Sequence, residues 1–118
     1  MSNPKYLYHY TDSRSIHKIA SSGYLQPSQA RHGDAALGTG VYFTTKPPQS
    51  SNSTLLRNNY NTDAVPRSKV QAYVRVDADK VNYQSGHSRL QRDVYVVPGG
   101  NGVNLSKAGA TGGFRKRY

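Results

Sequence analysis

From Lys69 to Asp77 the chain alternates without a break: Val70, Ala72, Val74 and Val76 fall on one side, Gln71, Tyr73 and Arg75 on the other. A period of two over that length marks a strand with one face turned to a core. Two shorter runs repeat the pattern. Lys5 to Tyr10 sets Tyr6, Tyr8 and Tyr10 opposite Leu7 and His9, and Arg92 to Val97 sets Asp93, Tyr95 and Val97 opposite Val94 and Val96. The clearest helical stripe lies between Ser13 and Ser22, where Ile16, Ile19 and Ala20 share a side. Thr11 or Asp12 supplies its cap, and Gly23 suits the left-handed position that ends it. These segments predict an α+β fold, an antiparallel or mixed sheet with one or two small helices.

Gly38 and Gly40 bracket Thr39 just before Val41-Tyr42-Phe43-Thr44, so backbone at Gly40 is free to approach a ligand closely where a strand begins. Lys46-Pro47-Pro48 stops that strand. Tyr24 to Asp34 reads as an exit loop. Gln49 to Arg67, rich in Ser, Asn and Thr, reads as a mobile surface loop with a short helix near Thr54 to Tyr60, anchored by Leu55 and Leu56. Asp77-Ala78-Asp79 fits a cap or turn after the longest strand. Pro98-Gly99-Gly100 ends the Arg92 to Val97 run, and the glycine-rich tail, with Val103, Leu105 and Phe114, adds one last strand.

At 118 residues the length predicts one domain, residues 1–118, with a single modest core and one cleft. With no cysteine there is no disulfide, thiolate nucleophile or cysteine zinc site, so packing must stabilise the fold, and ten tyrosines supply much of the area. No apolar run approaches the roughly 18 residues of a membrane span, and Met1-Ser2-Asn3-Pro4 leads straight into strand-like sequence rather than a signal peptide, so no membrane insertion is expected. Sixteen Lys and Arg against six acidic residues, all Asp, give a formal charge of +10. Such a field attracts nucleic acid, anionic membrane or a cofactor carrying a diphosphate, without choosing among them. Basic residues are spread along the chain, and Arg115-Lys116-Arg117 is the one true cluster.

Several chemistries find no support. His9, His17, His32 and His87 are widely spaced, and Asp77 with Asp79 offers too few ligands, so no metal is expected. Neither a GxGxxG fingerprint nor a GxxxxGK[ST] loop occurs. What remains is a histidine, a tyrosine and an acid on three strand-like segments. Cleaving the nicotinamide bond of NAD leaves a ribosyl centre with oxocarbenium character, and the site must hold the ring, orient the ribose and stabilise positive charge. His9 suits the ribose hydroxyls, Tyr42 the nicotinamide face and Asp93 the ribose and the cationic transition state. Each also has a duller use: His9 in a structural or surface role, Tyr42 in core packing, Asp93 as a cap or paired with Arg92, Arg89 or a neighbouring strand.

Leu7-Tyr8-His9-Tyr10-Thr11, then Ile16 and Ile19, Gly23-Tyr24-Leu25 and Pro27-Ser28, resemble the opening of diphtheria-toxin-like and poly(ADP-ribose) polymerase-like ADP-ribosyltransferases. Gly38 to Thr44 is similar to their second element and Asp93-Val94-Tyr95-Val96-Val97 to their third. The small toxin-associated subgroup with a His-Tyr-Asp signature is the nearest in pattern. The resemblance implies a split β-sheet with small flanking helices around an NAD cleft, NAD being a co-substrate used without a metal. It implies that His9 contacts the ribose distal to the adenosine, that Tyr10 offers backbone hydrogen bonds to the nicotinamide amide, that Tyr42 stacks on the ring, and that Asp93 is the catalytic acid. Thr11 and Gly40 belong to the same NAD-binding motifs, and Tyr60 is the candidate for a second stacking tyrosine. Arg31, Arg14 and Lys46 are candidates for the pyrophosphate, and Gln91 for acceptor recognition. Asp in place of Glu, one methylene shorter, favours single transfer or hydrolysis over polymer elongation.

The expected activity is therefore mono-ADP-ribosyl transfer from NAD to a macromolecular acceptor, protein or nucleic acid. Alternatives are NAD hydrolysis, an RNA 2'-phosphotransferase-like reaction, or a non-catalytic domain binding nucleic acid through Tyr stacking and Arg115-Lys116-Arg117. The toxin resemblance implies a cytoplasmic site of action after secretion or delivery, and allows a cognate inhibitor as partner.

Overall fold

The computed structural model describes residues 3–28, 38–86 and 92–116. Strand β1 (Tyr6–Thr11) leads into helix α1 (Ser13–Ser22), followed by the short β2 (Tyr24–Leu25), β3 (Gly40–Phe43), helix α2 (Asn52–Tyr60) and β4 (Ala72–Asp77). The chain continues through β5 (Gln84–Ser85), β6 (Tyr95–Pro98), β7 (Val103–Asn104) and β8 (Thr111–Phe114). Among the described residues these make a sheet ordered β1–β4–β8, a second ordered β3–β6–β5 and a ribbon of β2 with β7. Every pairing is antiparallel. The architecture is a mixed α+β fold, with small helices flanking open sheets.

The β1–β4 register sorts the alternating residues as their pattern predicts. Leu7 faces Val76 and His9 faces Val74, while Tyr8 faces Arg75 and Tyr10 faces Tyr73. On the first side Leu7, Val74 and Val76 pack with Ile19 of α1, Leu25 of β2, and Val41 and Phe43 of β3, forming the main core. On the second side Tyr10 packs with Leu55 and Leu56 of α2 and with Val70. Both faces of β1 are covered, and its Leu7 is fully buried.

Helix α1 forms as its local signals dictate. The Asp12 carboxylate accepts the Ser15 N–H at 2.7 Å, a cap worth about 1 kcal/mol, and Gly23 closes the helix at φ 79°. Elsewhere the fold departs from the sequence reading. Arg67–Val70 winds into a 3-10 turn, so the long alternating run becomes strand only at Ala72, while Val70 stays buried. The Gln49 to Arg67 segment contains a nine-residue helix, longer than expected, because Ser51 caps it and Leu55 and Leu56 reach the core. β6 begins at Tyr95, since the Val94 N–H donates to the Arg92 carbonyl at 2.9 Å in a tight turn. The glycine-rich tail provides two strands rather than one.

Arg115 is also unlike its expectation. It is buried, and its guanidinium donates to the carbonyls of Pro48 (3.0 Å), Val70 (2.9 Å) and Ser50 and to Asn52 Oδ1 (2.7 Å). Those bonds tie the connection between β3 and α2 to the end of β8. The residue that headed the basic cluster is thus a strut of the fold.

Candidate active site

β1 and β3 touch at one point and then part. Tyr8 N–H donates to the Thr44 carbonyl at 2.8 Å, and Thr44 N–H returns a bond to Tyr8 at 2.9 Å. Beyond that bridge a cavity of about 550 Å³ opens along the free edge of β1, within the range of small-molecule sites. His9, Tyr10 and Thr11 line it from β1, Tyr42 from β3, and Tyr60 from the end of α2. One face of α1 forms a further wall through Asp12, Ser15, Lys18 and Ser22.

His9 spans the split. Its Nδ1 lies 2.8 Å from the Tyr42 carbonyl oxygen, an acceptor, so this nitrogen carries the hydrogen. Burial holds the imidazole pKa below its ordinary 6.5, partly opposed by the bond to Tyr42, and the ring is neutral at pH 7. Nε2 therefore holds a lone pair that can accept a hydrogen bond. Phe43 fixes the ring from the side, edge-on at 6.0 Å between centroids.

Tyr10 contributes differently. Its ring is buried in the second cluster, with the hydroxyl donating to the Lys46 carbonyl at 2.6 Å, and that burial pushes the phenol pKa well up. Strand alternation aims its backbone N–H and C=O to the side that Tyr8 uses for Thr44, away from β4. Because β3 has diverged there, no described backbone group pairs with them. Tyr42, by contrast, is partly exposed, and its hydroxyl donates to the Gly38 carbonyl at 2.7 Å.

Asp93 stands beside the cavity rather than on its wall. Its neighbour Val94 lines the cavity, while the Asp93 carboxylate accepts from Thr44 Oγ1 at 3.1 Å, from Thr45 N–H at 2.9 Å and from the Thr45 hydroxyl. Of the structural uses expected for this acid, the tie to a neighbouring strand is the one it makes, at the end of β3; Arg92 donates instead to the Asn58 carbonyl at 2.8 Å, and Arg89 lies outside the described residues. Asn58 brackets Asp93, its Oδ1 accepting the Asp93 N–H at 2.8 Å and its Nδ2 donating to the Asp93 carbonyl at 2.7 Å.

Residues 7–103 match the family described as HYD1 signature containing ADP-ribosyltransferase. The chain belongs to that family. Its activity is thus of the ADP-ribosyltransferase type, acting on NAD and on a macromolecular acceptor, within a toxin-associated group of enzymes. No curated protein and no solved structure matches the chain. Among the described residues no group of three or more metal-ligating side chains gathers, and no helix is long and apolar enough to cross a membrane.

In this ADP-ribosyltransferase the cavity brings together His9, Tyr10, Thr11, Tyr42 and Tyr60, while Asp93, Gly40, Arg14 and Lys46, also expected there, are not on its wall. Gly40 is buried against β6, where an added Cβ would lie 2.6 Å from Val96 Cγ2 and from the Val97 carbonyl oxygen. Its bare Cα serves strand packing. Arg14 and Lys46 are not on the cavity wall, and Arg31 and Gln91 lie outside the described residues. Among the described residues the cations that do line it are Lys18 on α1 and Lys69 in the 3-10 turn before β4, neither singled out from sequence. Lys18 had a local signal: with Asp12, Ser15, Ile19 and Ser22 it follows the three-and-four spacing of one helix face. Asn58 had none, because its partners are remote in the chain.

Proposed function

We propose that this enzyme is a mono-ADP-ribosyltransferase that binds NAD across the free edge of β1 with the nicotinamide end at the β1–β3 split. The observation that carries the reading is the convergence of the His9 ring, the Tyr42 and Tyr60 side chains and the unpaired Tyr10 backbone on one cavity. Neutral His9 accepts a ribose hydroxyl at Nε2. The Tyr10 N–H and C=O match the carboxamide, which has one acceptor and two donors. Tyr42 and Tyr60 offer ring faces to the nicotinamide. Lys18 and Lys69 supply positive charge for the pyrophosphate.

Asp93 is assigned to the ribosyl centre. It precedes β6, in the turn closed by Val94 and Arg92, so strand alternation does not dictate where its carboxylate points. Thr45 gives it a neutral hydroxyl donor, which a ribose hydroxyl replaces bond for bond. As nicotinamide departs, the anion stabilises the developing positive charge.

Incubation with NAD labelled in the nicotinamide ring tests the assignment. Release of nicotinamide by the wild-type chain, and its loss in His9→Ala and Tyr42→Ala proteins that still melt cooperatively, is the expected result. Equal release by both variants would show that bond cleavage takes place elsewhere.

A further inference from the structure

A second hollow of about 440 Å³ adjoins the NAD cleft and shares Tyr8 with it. Lys5, Tyr6, Tyr8 and Tyr95 form its sides, and Thr45, whose backbone and hydroxyl hold the Asp93 carboxylate, lies at its wall. We propose that this groove is the acceptor site and that its acceptor is single-stranded nucleic acid. The proposal rests on the reading that NAD is cleaved beside Asp93.

Three observations point to that class. Tyr6, Tyr8 and Tyr95 are each partly exposed, so ring surface is available on both sides of one groove, and Tyr83 braces Tyr95 edge-on at 5.5 Å. Two cations flank the first of these rings: Arg75 Cζ lies 4.2 Å and Lys5 Nζ 5.4 Å from the Tyr6 ring centre. The nearby acids are already bonded, Asp77 to Lys80 at 3.1 Å and Asp93 to Thr44 and Thr45. Ring faces interleaved with cations suit stacked bases on a phosphate backbone, and a chain of formal charge +10 adds long-range attraction. An acidic protein would satisfy the charge but would leave the tyrosine faces without purpose.

The transfer balances as a substitution at the anomeric carbon. The bond from C1' to the nicotinamide nitrogen breaks, its electron pair leaving with neutral nicotinamide. An N–H nitrogen of an unpaired base forms the new bond to C1' and loses its proton to water. A base held in the groove approaches past Thr45 and past Tyr8, the residue common to the two hollows.

NAD labelled in its phosphates, mixed with the full chain and single-stranded RNA, single-stranded DNA or a soluble protein pool, decides the acceptor. Label is expected in RNA, DNA or both. The variant Lys5→Glu with Tyr6→Leu should lose roughly tenfold or more of that labelling while nicotinamide release in water is unchanged. Label on protein alone, or equal labelling of nucleic acid by the variant, overturns the proposal. Anisotropy of an oligonucleotide of about twelve residues, measured without NAD, judges the surface separately. If the wild-type chain binds it and the variant does not, yet no nicotinamide is released, the groove stands and the NAD reading fails; equal binding by both removes the groove.

Discussion

Asn58 holds the Asp93 peptide from both ends, accepting its N–H and donating to its carbonyl, while the same side-chain nitrogen lies 3.2 Å from Thr44 Oγ1. Asn58 is itself buried and sits two residues before Tyr60. One amide thus locks the helix that carries a cleft tyrosine to the turn that carries the acid and to the strand end that receives the acid's side chain. No other residue type of that size offers both a donor and an acceptor in one plane.

Replacing Asn58 by Ala leaves the Asp93 N–H and C=O without that partner, at a cost of about 2–3 kcal/mol in stability. It also frees Asp93 to wander, and misplacement of a reacting group by about 1 Å costs up to roughly hundredfold in rate. We expect kcat for nicotinamide release to fall between tenfold and that limit, with KM for NAD little changed. A KM-dominated loss in steady-state kinetics would instead make Asn58 a support for the NAD cleft through α2.

The neutral state of His9 makes the protein sensitive to acid. Its folded pKa lies below the ordinary 6.5 because burial disfavours the cation. Below pH 6.5 the unfolded chain takes up a proton that the folded ring refuses, so stability contributed here is complete above that pH and declines as pH falls toward the folded pKa. Urea midpoints at about pH 7.5 and about pH 5.5 should therefore differ more for wild type than for His9→Gln. Activity should follow the same direction, since protonated Nε2 no longer accepts a ribose hydroxyl. An acid limb of the pH–rate profile that is the same in wild type and His9→Gln would disconnect His9 from the ribose.

How much of this was legible in the sequence depended on how local the cause was. α1 was readable to its ends because the Asp12 cap, the Ile16/Ile19 stripe and Gly23 are neighbours in the chain. The faces of β1 and β4 were readable because alternation is a property of each strand alone. Gly40 was not, because a glycine before a strand looks the same whether a ligand or a partner strand comes close, and Val96 and Val97 arrive from far along the chain. The cleft cations depended on where α1 lies along the cavity: Arg14 stands four residues before Lys18 on the same side of the helix, yet Lys18 lines the cavity and Arg14 does not. The bonds from Thr44 and Thr45 to Asp93 are equally remote in sequence.

The buried Arg115 gives a test that separates fold from charge. Its planar guanidinium reaches Pro48, Ser50, Asn52 and Val70 together, and a lysine ammonium cannot repeat that fork. Arg115→Lys should cost roughly 3 kcal/mol in urea denaturation although the charge is kept. Lys116→Ala, next to it but exposed, should stay within about 0.5 kcal/mol of wild type. Similar small effects for both would return Arg115 to the surface cluster that its sequence context implies.

Asp93→Asn separates the two uses of the acid. The amide oxygen still accepts from the Thr45 N–H, and the Thr45 hydroxyl can turn to accept from the new NH2, so the clasp on β3 survives at a cost of about 1 kcal/mol. The charge does not survive. If the anion stabilises the ribosyl cation, kcat falls by roughly hundredfold or more while NAD affinity, which we assign to His9, Tyr10 and Tyr42, is nearly unchanged. Thermal melting read beside nicotinamide release distinguishes the cases: a stable variant that turns over at the wild-type rate leaves Asp93 as a strut between β6 and β3, whereas a stable variant that binds NAD without cleaving it places the negative charge at the transition state.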